Sequence, residues 1–203
     1  MRDAFDVPPK KLMLVPIGFE VEPQDMGEGG SRESFCLHVS TLYQPRKNVL
    51  RLIGAAKKYG FRLVLAGAHG TQSDFEPIQK AIGDAPNIEI KGFLSEEELR
   101  NLYLRAKVFA LPSIEEGVGI VALNAGVLGA NIVITDRGGP KEYFGDKAQI
   151  VNPMDGDAIG HAVMKALDDN NTQPGLSREL LQKYSTTAIS SMLLKSYQEA
   201  ASV

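Results

Sequence analysis

The chain has 203 residues, of which 43% are hydrophobic and 23% charged, so it is long enough to bury the core of one globular domain. Its formal net charge is −3 and its lysine and arginine residues are scattered, which argues against a nucleic-acid partner. No apolar run has the length of a membrane span, and the lone cysteine, Cys36, excludes an internal disulfide and agrees with a reducing, cytoplasmic compartment.

The first apolar segment lies at residues 12–15, where the pattern predicts a short strand. A polar, glycine-rich stretch follows as far as residue 30 and is typical of a linker. No obvious partner for this strand is predicted in the rest of the chain.

From residue 35 onward, strands and helices alternate. We predict strands at 35–39, 62–66, 88–91, 107–111, 131–135 and 148–151. Helices are predicted at 47–59, 75–82, 95–104, 119–128, 141–144 and 155–167, and at 176–201 with a break at 184–186. Ser95 followed by Glu98 is a capping-box signature for the third helix. The alternation predicts an α/β fold with a doubly wound parallel sheet.

The most informative junction joins the strand at 107–111 to the helix at 119–128. Glu116, Gly117 and Gly119 precede this helix. The glycines leave the first unpaired amide groups of the helix open to an anion, and Glu116 is suited to accept hydrogen bonds from hydroxyl groups beside that anion. From this segment alone, a glycine-rich turn with an exposed capping glutamate explains the pattern equally well.

A second glycine-bearing junction, at residues 136–142, follows the strand at 131–135. In an open parallel sheet the carboxyl ends of the strands form one edge, and ligands bind at that edge. Two neighbouring loops of this kind therefore favour the ligand-binding interpretation.

An ordered series of motifs resembles the donor-binding half of a retaining GT-B glycosyltransferase of glycosyltransferase family 4. That family carries Pro-Ser, Glu-Gly-Phe-Gly, Leu-Glu-Ala, a small-residue glycine, a strand and Gly-Gly-x-x-Glu. The matches here are Pro112-Ser113, Glu116-Gly117-Val118-Gly119, Leu123-Asn124-Ala125, Gly129, the strand at 132–135 and Gly138-Gly139-Pro140-Lys141-Glu142. Further matches at 44–48, 63–67 and 92–99 extend the resemblance from about residue 35 to residue 159.

The resemblance implies a Rossmann-like sheet that forms one half of a GT-B fold. It divides the chain into a remnant of an N-terminal acceptor domain (1–18), an inter-domain linker (19–34), a donor-binding domain (35–175) and C-terminal helices that cross back to the missing domain (176–203). The alternative is a complete small protein that starts at Met1.

The resemblance also implies roles for individual residues. Glu116 is expected to be catalytic, because it matches the glutamate that hydrogen-bonds the transferred sugar and supports its developing positive charge. Lys47, assisted by Arg46, is expected to neutralise the donor diphosphate. Asn124 replaces the family's second glutamate, which holds the ribose hydroxyls, so we expect binding there to be weaker but not lost.

The remaining predicted site residues follow the strands. Phe93 and Leu94 lie where the family contacts the nucleobase, although core packing explains them equally well. His69 is more simply an ordinary loop histidine. The complete predicted donor site is Thr41, Arg46, Lys47, Gly67, His69, Phe93, Leu94, Gly117, Val118, Gly119, Ile120 and Asn124. No metal-ligand spacing exists among the three histidines and one cysteine, so neither a metal nor a cofactor is expected.

The implied function is transfer of a hexosyl group from a nucleotide diphosphate sugar to a hydroxyl acceptor, in polysaccharide or glycolipid biosynthesis. The nucleotide sugar is then a substrate, the acceptor binds to the missing domain, and the full-length enzyme is expected in the cytoplasm, associated peripherally with the inner face of the membrane. Two alternatives stay open. One is a degenerate, non-catalytic nucleotide-binding domain, and the other is a sugar-nucleotide 2-epimerase of GT-B fold.

Overall fold

The computed structural model describes residues 12–21, 31–169 and 174–201. Within these ranges six strands form one sheet: β1 (Glu33–Val39), β2 (Leu63–Ala66), β3 (Ile88–Gly92), β4 (Ala106–Leu111), β5 (Asn131–Thr135) and β6 (Gln149–Val151). Their order across the sheet is β3-β2-β1-β4-β5-β6, and every neighbouring pair is parallel. The chain therefore winds outward in both directions from the β1–β4 pair, which confirms the predicted doubly wound sheet.

Helices connect and cover these strands. They are α1 (Val49–Tyr59), α2 (Gln72–Ile82), α3 (Glu96–Arg105), α4 (Ile120–Val127), α5 (Pro140–Phe144), α6 (Gly156–Asp168), α7 (Pro174–Tyr184) and α8 (Thr186–Ala201). One-turn 3₁₀ helices at Pro45–Lys47 and Gly145–Lys147 precede α1 and β6. None of the helices in the described ranges combines the length and hydropathy that a membrane crossing requires.

Alternate residues of the central strands supply two separate cores. Leu37 of β1 and its neighbour Phe109 of β4 pack with residues of α3, α4 and α7. Cys36 and Val108, one position earlier, pack with residues of α1, α2 and α6 on the other face. Because both faces are buried, the central strands are nearly continuous apolar runs, which made them recognisable in the sequence.

Side-chain caps set the starts of two helices. At α3, Ser95 accepts a hydrogen bond from the Glu98 amide, and the Glu98 carboxylate accepts one from the Ser95 amide, so the predicted capping box is confirmed. Thr71 and Asp74 form the same arrangement at α2. That helix therefore starts at Gln72 rather than at the predicted residue 75.

The prediction that the first helix begins at Lys47 is wrong. Lys47 ends the separate 3₁₀ turn, Asn48 has a left-handed φ of 60°, and α1 begins at Val49. Asparagine is one of the few residues that adopts this backbone conformation readily. The reversal at Asn48 separates Lys47 from the axis of α1.

The prediction of a strand at residues 12–15 is also wrong. Residues 12–20 have no regular secondary structure and pair with neither edge of the sheet. The segment instead packs on the helical layer, where the Ile17 amide donates to the Tyr143 hydroxyl at 3.2 Å and Phe19 is buried. Two of its backbone amides, those of Ile17 and Glu20, thus donate to helix side chains rather than to a neighbouring strand. Residues 1–11 of the predicted remnant and 22–30 of the predicted linker lie outside the described residues.

The two C-terminal helices confirm the predicted helical stretch, with the break at Ser185. Leu176 and Leu180 of α7 are buried in the core beside α4. In contrast, α8 contains no buried residue and exposes four large apolar side chains, namely Met192, Leu193, Leu194 and Tyr197.

Arg32 lies at the amino end of the sheet, directly before β1. Its guanidinium donates hydrogen bonds to the carbonyl oxygens of Tyr103 at 3.0 Å, of Ala106 at 2.9 Å and of Leu128. These carbonyls lie at the ends of α3 and α4, where backbone acceptors have no partner within the helix. One side chain therefore links α3, α4 and the start of β4.

We expect Arg32→Ala to lower the free energy of unfolding by about 2–3 kcal/mol, because three carbonyl oxygens lose a charged donor. Urea denaturation followed by circular dichroism measures this change. Arg137→Ala is the matched control, since the Arg137 side chain is 47% exposed and its ion pair with Asp136 spans 3.9 Å. It should differ from the wild type by less than about 0.5 kcal/mol. Equal losses in the two variants would contradict the linking role of Arg32.

Candidate functional site

The loops after β1 and β4 meet at the carboxyl edge of the sheet. These two strands are neighbours, and the direction of winding reverses between them. In open parallel sheets ligands bind at such a reversal. The loops are joined directly, because the Ile114 amide donates to the Arg46 carbonyl oxygen at 2.8 Å.

Asn48 holds this meeting point together. Its buried side-chain nitrogen donates to the carbonyl oxygens of Pro112, at 2.8 Å, and of Pro153, at 2.7 Å. The loops after β4 and β6 are thereby fixed to the loop after β1. Arg51 in turn donates to the Asn48 side-chain oxygen, so the nitrogen and the oxygen of this amide both have hydrogen-bond partners.

Lys47 and Glu116 form an ion pair across the two loops. The Lys47 Nζ atom lies 2.6 Å from Glu116 Oε2, and the side chains are only 12% and 10% exposed. The Ser113 hydroxyl donates to the same Oε2 at 3.0 Å, and Arg46 Nη1 lies 3.8 Å from Oε1. Two residues that the sequence assigned to diphosphate and sugar binding are therefore adjacent.

The surroundings of Glu116 keep it ionised. Burial raises the pKa of this carboxyl, but the hydrogen bond and charge of Lys47 outweigh burial, with help from Ser113 and Arg46. The pKa of Glu116 therefore lies below the ordinary value of a glutamate.

The second glycine motif positions Glu116. Gly138 and Glu116 form an isolated parallel bridge, and a Cβ atom at Gly138 would lie 1.8 Å from the Glu116 carbonyl oxygen. The following glycine, Gly139, donates its amide to the same carbonyl at 3.2 Å. Only glycine permits this approach, so the loop after β5 supports the loop that carries Glu116.

The start of α4 leaves backbone donors at the same edge. The first hydrogen bonds of the helix are donated by Ala122 and Leu123 to the Gly119 carbonyl, at 2.8 and 3.2 Å. The amides of Ile120 and Val121 precede these two amides and donate no hydrogen bond within the helix. This geometry agrees with the predicted anion-binding helix start.

A cleft of about 400 Å³ lies beside the ion pair. Six predicted donor-site residues line it: Thr41, Arg46, Lys47, Gly67, Phe93 and Leu94. It is also lined by Val39, Ser40, Ala66, Ala68, Leu99 and Val121, which the sequence did not single out. Phe93 is 86% exposed, so core packing does not explain it.

The other predicted residues lie outside this cleft. Glu116 is hydrogen-bonded to Lys47, which lines the cleft, and Gly117 to Ile120 lead into the start of α4. His69 stacks on Phe75 with ring centroids 4.7 Å apart. Asn124 is buried, and its side-chain oxygen accepts a hydrogen bond from the Glu20 amide at 2.9 Å. The predicted ribose-binding role of Asn124 remains a prediction.

A larger cavity, of about 540 Å³, lies on the other side of the loop after β1 and is lined mainly by apolar residues of that loop, α1 and α2. We take the smaller cleft as the candidate site, because that cleft lies at the strand reversal and adjoins the ion pair. Among the described residues, no three His, Cys, Asp or Glu side chains are placed to hold a metal ion.

Residues 29–187 match the family model described as Glycosyl transferases group 1. The chain is 27% identical over 147 residues to the O-antigen chain mannosyltransferase B of Escherichia coli, a match covering 68% of this chain and 38% of that protein. It is 25% identical over 207 residues to the MMP alpha-(1->4)-mannosyltransferase of Mycolicibacterium hassiacum, covering 97% of this chain and 50% of that protein. The chain thus spans about half the length of these curated relatives.

Solved structures share the fold. The glycosyltransferase from Rickettsia africae superposes with a TM-score of 0.79 at 16% identity, covering 96% of this chain and 58% of that chain. Sucrose-phosphate synthase from Thermosynechococcus elongatus gives 0.75 at 19% identity, with coverages of 94% and 53%. Anabaena Alr3699/HepE in complex with UDP-glucose gives 0.70 at 18% identity, with coverages of 90% and 54%.

Asn48→Ala should lower the free energy of unfolding by about 3 kcal/mol, because it removes two buried hydrogen bonds and places a Cβ-bearing residue without a stabilising side chain at a left-handed φ. Asn48→Gly removes only the hydrogen bonds and should be about 1 kcal/mol less damaging. Urea denaturation measures both, with the exposed Asn101→Ala on α3 as the control. A glycine variant less stable than the alanine variant would be inconsistent with this account.

Glu116→Gln should lower the free energy of unfolding at neutral pH by about 3 kcal/mol, because Lys47 stays buried without its counter-charge. Since the folded-state pKa of Glu116 lies below the unfolded value of about 4.3, the carboxylate stabilises the fold above that value. The stabilisation is lost as the pH falls through the folded-state pKa. Urea denaturation between about pH 7 and pH 3.5 should therefore show the difference from the wild type shrinking on acidification.

The control for this pH series is Glu115→Gln, the same chemical change at the exposed neighbouring position. It should stay within about 0.5 kcal/mol of the wild type throughout. A difference between the wild type and Glu116→Gln that does not change with pH would rule out the ionised carboxylate as its source.

Proposed function

The chain belongs to the family of glycosyl transferases group 1, and we propose that it is the donor-binding half of a retaining GT-B glycosyltransferase. The proposed reaction transfers a hexosyl group from a nucleotide diphosphate sugar to a hydroxyl acceptor. The observation that carries this proposal is the ion pair between Lys47 and Glu116, which lies at the strand reversal beside the cleft.

The ion pair supplies both charges that the reaction needs. Lys47 uses one ammonium proton for Glu116 and retains two further donors for phosphate oxygens. Arg46, which is 53% exposed, adds a second cation, and the free amides of Ile120 and Val121 add the helix dipole. Together they stabilise the negative charge that develops on the leaving diphosphate.

Glu116 acts on the sugar in this proposal. Its Oε2 atom is held by Lys47 and Ser113, whereas Oε1 has the longer contacts, with the Gly117 amide at 3.3 Å and Arg46 at 3.8 Å. Oε1 is therefore the atom available to accept a hydrogen bond from a sugar hydroxyl. An ionised carboxylate there also favours the positive charge that develops on the anomeric carbon.

Phe93 and Leu94 are proposed to bind the nucleobase. The exposed Phe93 ring offers an apolar surface in the lining of the cleft, and aromatic rings stack well on bases. The solved complex of Anabaena Alr3699/HepE with UDP-glucose supports a nucleotide sugar as ligand for this fold.

The acceptor is proposed to bind a second domain, because the chain spans about half the length of its curated relatives. The exposed apolar side chains of α8 are the proposed contact with that domain. The names of the mannosyltransferase relatives support a role in polysaccharide assembly, and the buried thiol of Cys36 agrees with a cytoplasmic enzyme. Peripheral membrane association is proposed for the full-length enzyme only.

Neither alternative function is favoured. The named relatives transfer sugars, which does not support an epimerase. A degenerate domain has no need of a buried, ionised carboxylate paired with lysine beside an open cleft, since such a pair is seldom retained for stability alone.

Calorimetric titration with UDP, GDP and ADP tests the proposal. The wild-type chain should bind one of these nucleotides, and Lys47→Ala should weaken that binding by about 10- to 100-fold, because a charge-assisted hydrogen bond to phosphate is lost. Lys58→Ala is the matched control, since Lys58 is 61% exposed and pairs with Asp157 away from the cleft. Circular dichroism confirms that each variant is folded. Binding of none of the three nucleotides, or equal weakening by both substitutions, is the result that defeats the proposal.

A further inference from the structure

A buried histidine contacts one of the residues that line the cleft. His38 lies on β1 and is fully buried. Its Nδ1 atom lies 2.8 Å from the Ala110 carbonyl oxygen on β4, and its Nε2 atom lies 2.7 Å from the Ser40 hydroxyl oxygen. Ser40 is half-buried and lines the cleft. The imidazole thus connects the centre of the sheet to the candidate donor site.

These two contacts determine which ring nitrogen carries the proton. A carbonyl oxygen only accepts hydrogen bonds, so Nδ1 must be protonated and donate to Ala110. Burial lowers the pKa of His38 to about 4, although the bond to Ala110 opposes this shift, so the ring is neutral near pH 7. Nε2 then has a lone pair and accepts the proton of the Ser40 hydroxyl.

The backbone of Ser40 is fixed independently of His38. The Ser40 amide donates to the Ala66 carbonyl oxygen at 3.1 Å. The next residue, Gly67, lies so close that a Cβ atom there would be 1.9 Å from the Ser40 carbonyl oxygen. The Ser40 side chain keeps two rotations, about its Cα–Cβ and Cβ–Oγ bonds, and the hydrogen bond to His38 fixes both.

We infer that His38 is a positioning residue, which turns the Ser40 hydroxyl into an acceptor for a hydroxyl group of the bound nucleotide sugar. A serine hydroxyl has one proton and two acceptor sites, and His38 takes the proton. Ser40 therefore presents only lone pairs to the cleft, which repel phosphate oxygens and attract a hydroxyl donor. This inference rests on the proposed function and adds a residue pair to the same site.

Two substitutions separate the two bonds of His38. His38→Asn keeps an amide donor for Ala110 but has no group that reaches Ser40. His38→Gln places an amide oxygen near the original Nε2 position and so keeps the acceptor for Ser40. The control is His161→Asn, the same change at an exposed histidine on α6.

The first test is calorimetric titration of the full chain with UDP-glucose and GDP-mannose. Ser40→Ala and His38→Asn should each weaken binding of the preferred probe by about three- to tenfold, the size of one neutral hydrogen bond. The double variant should bind no more weakly than Ser40→Ala, because both changes remove the same contact. His38→Gln should stay within about twofold of the wild type, and His161→Asn should be unchanged.

A merely structural role for His38 gives a different pattern. His38→Asn and Ser40→Ala would then have additive effects on the dissociation constant, and His38→Gln would fail to restore affinity. Either of these results, or a Ser40→Ala variant that binds as well as the wild type, overturns the inference.

The second test does not depend on nucleotide binding. Nuclear magnetic resonance of ¹⁵N-labelled imidazole should show His38 as a neutral ring protonated at Nδ1, and Ser40→Ala should shift the Nε2 resonance more than the Nδ1 resonance. A ring protonated at Nε2, or charged near pH 7, overturns the inference whatever the titrations show. If the spectra agree but the wild type binds neither probe nor any free nucleotide, the proposed function and the ligand contact both fail, and only the fixed orientation of the hydroxyl stands.

Discussion

The amide side chain of Asn48 is the contact on which the site depends. It reaches the carbonyl oxygens of Pro112 and Pro153, so three loops from separate strands share one buried donor. To do this, Asn48 leaves the helical conformation, and that reversal places Lys47 in its own turn. The pairing of Lys47 with Glu116 across the strand reversal follows from this backbone geometry rather than from the ion pair itself.

The ion pair would contribute little if stability were its only role. Burying both charges costs solvation free energy that their attraction only partly recovers, and an apolar pair of similar size often serves as well. In the proposed function, the pair instead keeps a cation and a carboxylate charged beside the cleft. A cation and a carboxylate held 2.6 Å apart, beside free helix amides, suit the proposed reaction, in which opposite charges develop on neighbouring groups.

Local patterns predicted most of the fold. The apolar strands, the Ser95 capping box and the break at Ser185 depend on residues close in sequence, and all three are confirmed. Residues 12–15 have the composition of a strand, yet the segment that contains them makes tertiary contacts with helix side chains instead of pairing with the sheet. The contacts of Asn48 and His38 were missed for a similar reason. Their carbonyl partners, on Pro112, Pro153 and Ala110, are distant in sequence, and nothing in a single chain reveals which carbonyl a buried polar side chain will meet.

The two edges of the sheet differ in the polar and aromatic groups that they leave open. At the amino edge, the Arg32 guanidinium pairs with carbonyl oxygens at the ends of two helices. The carboxyl edge keeps unpaired helix amides, a half-exposed Arg46 and an exposed Phe93. Folding alone gains nothing from leaving donors and an aromatic ring open in this way, and natural proteins depart from full satisfaction mainly where they act. This asymmetry is a physical argument, independent of any resemblance to known enzymes, for the proposed ligand site at the carboxyl edge.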